Sequence, residues 1–148
     1  MRLIKASKIT KVIKNMAMEA NFYLNEDILN KFKEAKNNEK RYLAKNIFEQ
    51  LIENAEIASK NKMPICQDTG FAVVFLEIGN EVIIDGNLND AINKGISQGY
   101  KEGYLRKSIV SDPIIRKNTG NNTPAVIHSK IVEGNKLKII FAPKGGGS

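Results

Sequence analysis

The only thiol of the chain, Cys66, stands in Met63-Pro64-Ile65-Cys66-Gln67-Asp68-Thr69-Gly70, between an expected helix end and an apolar run of strand length. A thiolate on a loop among amide, carboxylate and hydroxyl groups suits a nucleophile or a metal ligand. A lone free cysteine is equally a small buried hydrophobe, and spacing leaves both readings open. His128, the only histidine, lies inside the alternating segment 125–131. There it reads more readily as a hydrogen-bonded structural group than as a base, because no oriented third group accompanies a Cys–His pair. Arg106 and Lys107 follow Gly103-Tyr104-Leu105 at an expected helix end. Cations there complement the helix dipole, while a guanidinium fork would also grip a carboxylate or phosphate in two places. Lys144-Gly145-Gly146-Gly147 could form an anion-binding turn, without the spacing of a P-loop.

These residues need elements to hold them. Ile9, Val12, Ile13, Met16, Ala17 and Ala20 repeat at helical spacing, with Ser7 as the expected N-cap. Asn25-Glu26-Asp27 predicts a second helix start, with Ile28, Phe32 and Ala35 on its buried side. A third helix is expected from about Glu39 to Asn61, burying Ala44, Ile47, Phe48, Leu51, Ala55 and Ala58 and stopping before Pro64. The apolar run Phe71–Ile78 predicts a strand, with Glu81–Asp85 returning as its hairpin partner after Gly79-Asn80. Helical spacing resumes from Asn87 to Tyr104, where Gly95, Gly99 and Gly103 recur every fourth residue. Each costs about 1 kcal/mol of helix propensity against alanine, so another backbone is expected close to that face. Residues 105–124 form a polar connection of the length that often carries function. Segments 125–133 and 136–142 read as a hairpin around Gly134-Asn135.

The expected architecture is therefore α+β: a helical N-terminal layer packed with a mostly antiparallel sheet of about four strands and a central helix. Residues 1–62 read as the helical region and 63–148 as the α+β region that carries the Cys66 loop, the two forming one domain. Hydrophobic residues at 42% suffice for a core, and charged residues at 26% exclude wholesale disorder. No apolar run approaches a membrane span. A single cysteine excludes an internal disulfide and a zinc site of several thiolates, and a cytoplasmic, reducing compartment is the expectation. Net charge is +7, with 13 basic against 8 acidic side chains in residues 1–62 and 10 against 8 in residues 63–148. The N-terminal lysines alternate with glutamates and lack stacking aromatics, which reads as a solvated surface rather than a nucleic-acid interface.

Several blocks occur in order: Pro64-Ile65-Cys66-Gln67-Asp68-Thr69-Gly70, Gly99–Ser108, Asp112-Pro113, Arg116-Lys117-Asn118-Thr119-Gly120, Asn122–His128 and Ala142–Ser148. In these the chain resembles the iron–sulfur hydro-lyases comprising class I fumarate hydratase and the alpha subunit of L-tartrate dehydratase. The resemblance implies that Cys66 is one of three cysteines holding a 4Fe–4S cluster whose fourth iron is open to substrate. It implies Gln67 and Asp68 as catalytic-site residues lining the substrate pocket. Arg106 would bind a substrate carboxylate, and Lys144 and Gly147 would also contact the substrate. His128, Asn118 and Thr119 match the pattern without an assigned role.

The implied activity is reversible hydration of a small dicarboxylate, fumarate to malate or tartrate to oxaloacetate. The other two cysteines and the catalytic base are expected beyond this chain, in a C-terminal continuation and a beta subunit or C-terminal domain. A homo- or hetero-oligomer is implied, with neither membrane nor nucleic acid as partner. The 148 residues by themselves are expected to carry neither cluster nor activity. The alternatives are a non-catalytic carboxylate-binding or assembly fragment, and a basic nucleic-acid-binding module.

Overall fold

The computed structural model describes residues 1–146 and gives the order β1 (Arg2–Lys5), α1 (Ala6–Phe22), α2 (Glu26–Asn38), α3 (Tyr42–Asn61), β2 (Phe71–Gly79), β3 (Val82–Asp85), α4 (Leu88–Glu102), β4 (Val126–Val132) and β5 (Leu137–Lys144). The α+β class holds. Two units emerge, Asn21–Gln67 and the remainder, Met1–Ala20 with Asp68–Ser148.

In the larger unit, β2 is the middle strand of the sheet β4-β2-β5. It runs parallel to β4, with Val74 opposite Ile127, and antiparallel to β5, with Val74 opposite Phe141. The expected β4–β5 hairpin does not form. A strand apolar on both faces is most stable with neighbours on both edges, and β2 takes the place between them. The connection passes over the end of β2, where the Gly79 and Asn80 amides donate to the Lys136 and Val132 carbonyls, both at 2.8 Å. A Cβ on Gly79 would sit 2.2 Å from the Gly134 carbonyl oxygen, so only glycine allows that crossing.

The expected β2–β3 hairpin is also absent. β3 instead pairs in parallel with β1, a strand in a segment whose sequence reads as helical. Of the three strand pairings two are parallel, so the sheet is not mostly antiparallel as expected.

Helix α4 is capped by Asn87, whose side-chain oxygen accepts from the Asp90 amide. Its glycine face lies on α1: a Cβ on Gly95 would meet the Thr10 carbonyl oxygen at 2.6 Å, and one on Gly99 the Lys14 carbonyl oxygen at 2.8 Å. Thr10 Oγ1 donates across this contact to the Ala91 carbonyl at 3.0 Å. The close approach therefore explains the glycine spacing. Ile9, Ile13 and Ala17 of α1, Ile92, Ile96 and Tyr100 of α4, and Ala72, Val74 and Leu76 of β2 make up the core of this unit. Ser7 lies within the first turn of α1 rather than at its cap, because the helix starts at Ala6.

The smaller unit is the α2–α3 pair, with Phe32 and Phe48 in tilted contact at 6.3 Å between ring centroids. The chain leaves α2 at Glu39, whose carboxylate accepts from the Lys40 and Arg41 amides. That turn delays α3 to Tyr42. Asn25 occupies the cap position of α2, but its side chain makes no capping bond. Burial is thinner than the periodicity predicts. No residue of α2 is fully buried and Ile28 is exposed; in α3 only Ala55 and Ala58 are buried, and Ile47 is half exposed. Two helices packed along one seam cover only a narrow stripe of each.

Candidate functional site

In the larger unit, four chain segments meet around a buried polar knot. The Tyr100 hydroxyl, on the last turn of α4, donates to the Thr69 carbonyl at 2.8 Å. Thr69 Oγ1 donates to the Arg106 carbonyl at 2.8 Å. Asn122, fully buried, accepts at Oδ1 from the Ser108 amide at 2.7 Å and the Ile109 amide at 3.2 Å, and donates from Nδ2 to the Gly70 carbonyl at 3.1 Å. The fourth segment is the end of β5. Gly70 has φ of +53°, and a Cβ on it would lie 1.9 Å from the Lys144 carbonyl oxygen. The 68–70 loop, the turn after α4, the strand entry at 122 and the 144–145 backbone are thereby fixed to one another.

Burial pushes the Tyr100 phenol up to about 12, with a hydrogen bond from Asn122 opposing the shift and the Asp68 charge adding to it. Tyr100 is accordingly a neutral donor at physiological pH and a fastener for the loops. The turn that carries Arg106 is shaped by the end of α4. Gly103 closes the helix, Tyr104 takes φ of 55°, and Leu105 buries its side chain while its amide returns to the Tyr100 carbonyl at 3.0 Å. Arg106 is left exposed.

The same framework presents the other expected residues. Asp68 is exposed, and its Oδ1 accepts from the Gly70 amide at 3.0 Å. Lys144 is exposed, with Nζ donating to the Gly145 carbonyl at 2.9 Å. Asn118 braces the long loop through Nδ2 to the Lys107 carbonyl and through Oδ1 from the Gly120 amide. The Thr119 amide donates to the Ile109 carbonyl at 2.9 Å. Ser108 Oγ and Thr119 Oγ1 are buried without a hydrogen-bond partner among the described residues. Gly147 lies outside the described residues.

His128 is elsewhere on the sheet. It stacks on Phe75 at 5.1 Å between ring centroids, on the exposed face where Glu77 pairs with Lys130 and Lys138. Lys130 in particular holds the Glu77 carboxyl below its usual range.

Cys66 and Gln67 close the smaller unit. Cys66 is a free, exposed thiol, which removes the buried-hydrophobe reading. Its amide donates to Asn54 Oδ1 at 3.0 Å, and Ile65 before it is tied to the Asn21 carbonyl at 3.0 Å. An exposed sulfur on an anchored turn fits one ligand position of an iron–sulfur cluster. Among the described residues no group of three or more His, Cys, Asp or Glu side chains could hold a metal ion, so further ligands would have to be supplied from elsewhere. The sequence reading missed Tyr100, Thr69, Asn122 and Asn54. Asn122 had a legible signal, since asparagine is the side chain best suited to φ near +59° with simultaneous donation and acceptance.

A family model described as fumarate hydratase (Fumerase) matches residues 10–148. The chain is 34% identical over 148 residues to a Methanocaldococcus jannaschii protein provisionally named L(+)-tartrate dehydratase subunit alpha, covering 95% of this chain and 52% of that one. It is 39% identical over 101 residues to fumarate hydratase class I, anaerobic, of Escherichia coli K12, covering 67% and 18% respectively. Identity is 26% over 144 residues with the L(+)-tartrate dehydratase subunit alpha of Escherichia coli UTI89, covering 95% and 48%. The chain thus spans about half the length of these alpha-subunit relatives. No helix among the described residues is long and apolar enough to cross a membrane.

Proposed function

This chain belongs to the fumarate hydratase (Fumerase) family, and from that membership we propose that it supplies the N-terminal part of the alpha region of a hydro-lyase acting on a small dicarboxylate. The substrate would be fumarate/malate or tartrate. The observation that carries the reading is the bond from Thr69 Oγ1 to the Arg106 carbonyl, which fastens the Asp68-Thr69-Gly70 loop to the turn bearing the guanidinium. In this reading Arg106 grips one substrate carboxylate through its planar fork, and Lys144, with Gly147 beyond it, binds the other end of the diacid. Asp68 has one oxygen held by the Gly70 amide, which leaves the second to accept from the substrate hydroxyl or the departing water. Gln67 would add a further substrate contact, a role that rests on the resemblance alone. Pre-set side chains on a fixed backbone convert a collision into a positioned reaction.

Cys66 would hold one corner of a 4Fe–4S cluster, with the remaining thiolates and the catalytic base contributed by a continuation of the chain and a beta subunit or domain. When bound, such a cluster offers an open iron as a Lewis acid toward the hydroxyl that enters or leaves. The assembly would be a cytoplasmic oligomer.

The test is the complete alpha–beta enzyme, reconstituted anaerobically with iron and sulfide and assayed on fumarate, malate and tartrate. Cys66→Ser is expected to lose the visible iron–sulfur absorption together with activity. Full cluster content and full turnover in that variant would remove Cys66 from the site.

A further inference from the structure

Away from the Thr69–Asn122 knot, the larger unit has a groove of about 660 Å³ between β1, the exposed stripe of α1 and the start of β5. Its apolar lining includes Leu3, Val12, Met16, Leu137 and Ile139. Leu3 is 64% and Val12 37% exposed. Around that lining stand Arg2, Lys5, Lys8 and Lys11, and no carboxylate lines the groove. None of these four cations makes an ion pair among the described residues, whereas Lys14, Lys36, Lys130 and Lys138 all do. An apolar floor with an unpaired cationic rim is an uncovered surface with its electrostatic preference already set.

We infer that this groove seats an acidic amphipathic helix from another protein chain, aliphatic side chains on the floor and carboxylates against Arg2, Lys5, Lys8 and Lys11. Lys8, Val12 and Met16 lie at i, i+4 and i+8 on α1, a ridge against which a second helix packs lengthwise. A nucleic acid is disfavoured because no aromatic side chain lines the groove to stack a base. A second copy of the chain is disfavoured because two cationic rims on chains of net charge +7 would be brought together. The family match begins at residue 10, so Arg2, Lys5 and Lys8 lie before it. Lys11, Val12, Met16, Leu137 and Ile139 lie within it, but no lining residue is among those proposed for the hydro-lyase site, so the inference is tested independently of that reading.

The test uses fluorescence anisotropy with a labelled helical peptide of about 16 residues, long enough to hold a helix. It carries leucines at three- and four-residue spacing and glutamates beside them; a twin peptide replaces every glutamate with lysine. The acidic peptide is expected to bind at least about tenfold tighter than its twin, more weakly as salt rises. Lys8→Glu/Lys11→Glu, two exposed positions whose change leaves the core intact, brings the rim to two cations and two carboxylates and is expected to abolish the preference. Val12→Asp is expected to weaken the acidic peptide about tenfold or more. Absent or equal binding of the two peptides, or indifference to the lysine reversal, overturns the inference. So does tighter binding of an oligonucleotide or of phosphatidylserine vesicles than of the acidic peptide, or sedimentation as a dimer that Lys8→Glu/Lys11→Glu dissolves.

Discussion

Asn122→Ala tests whether the buried knot, rather than the surface side chains it presents, holds the candidate site together. The substitution leaves the Ser108 and Ile109 amides without their shared acceptor and the Gly70 carbonyl without its donor. A buried polar group left unpaired costs about 1–3 kcal/mol. Because the two amides shared one oxygen and the loop can admit water, the three losses together are counted as about 2–4 kcal/mol. Alanine also lacks the local side-chain bonding that lets asparagine tolerate φ near +59°, which adds up to about 1 kcal/mol. The total is about 2–5 kcal/mol, which at about 2–4 °C per kcal/mol for a chain of this size lowers Tm by about 4–20 °C. Thermal unfolding followed by circular dichroism measures it. Asn122→Gly relieves the backbone strain without restoring any hydrogen bond, so it should recover at most about 1 kcal/mol of the loss. A cost below about 1 kcal/mol for Asn122→Ala, or full recovery in Asn122→Gly, would refute the reasoning. The first result would mean that the hydrogen bonds contribute little, and the second that strain was the whole effect.

Gly99→Ala gains about 1 kcal/mol of helix propensity, but its Cβ would press on the Lys14 carbonyl and Ala17. A net destabilisation of about 1–3 kcal/mol is expected from overpacking, and a stabilised variant would show that α1 and α4 can separate freely. Tyr100→Phe removes the donor to Thr69 and should cost about 1–2 kcal/mol at neutral pH. The folded-state phenol titrates near 12, against an ordinary value of 10.0. Its contribution is thus fully present below pH 10 and lost as pH rises toward 12, at up to about 1.4 kcal/mol per pH unit. Denaturant titrations across that window should show the slope in the parent and not in Tyr100→Phe; parallel curves would contradict it. In the complete enzyme, Arg106→Lys should lower kcat/KM by about tenfold or more, because a point charge replaces a two-pronged donor. Steady-state kinetics showing no change would take Arg106 out of the site.

The candidate site was legible in proportion to how local its signals are. The Cys66 turn follows from Pro64 ending α3 and from the polar run before the apolar β2, and the sulfur is exposed as a ligand reading needs. Arg106 was legible from the glycine closing α4, which also fixes where the exposed side chain leaves the helix. Tyr100 and Thr69 were not. An apolar-looking tyrosine at helical spacing reads as core, and a threonine beside a glycine reads as a turn. Their partners lie 31 and 37 residues away in the chain. His128 sits on a strand as its alternation predicts, but its stacking partner Phe75 comes from β2 through a parallel register that no turn specifies.

The sequence by itself determined the elements whose cause is local: the apolar stripes of α1 and α4, the glycine face of α4, the stop at Pro64, and the ordered motif blocks that mark the family. The tertiary structure alone decided strand partners and loop fastening. Hydrophobic alternation says which face of a strand is buried but not which edge meets which neighbour. Short turns therefore suggested two hairpins where β2 in fact takes β4 and β5 on either side and β3 goes to β1. Asn122 likewise becomes a joint only when folding carries Gly70, Ser108 and Ile109 to it. Hydrogen-bond partners so far apart are chosen by the packing of the whole unit and are not written in the residues beside them.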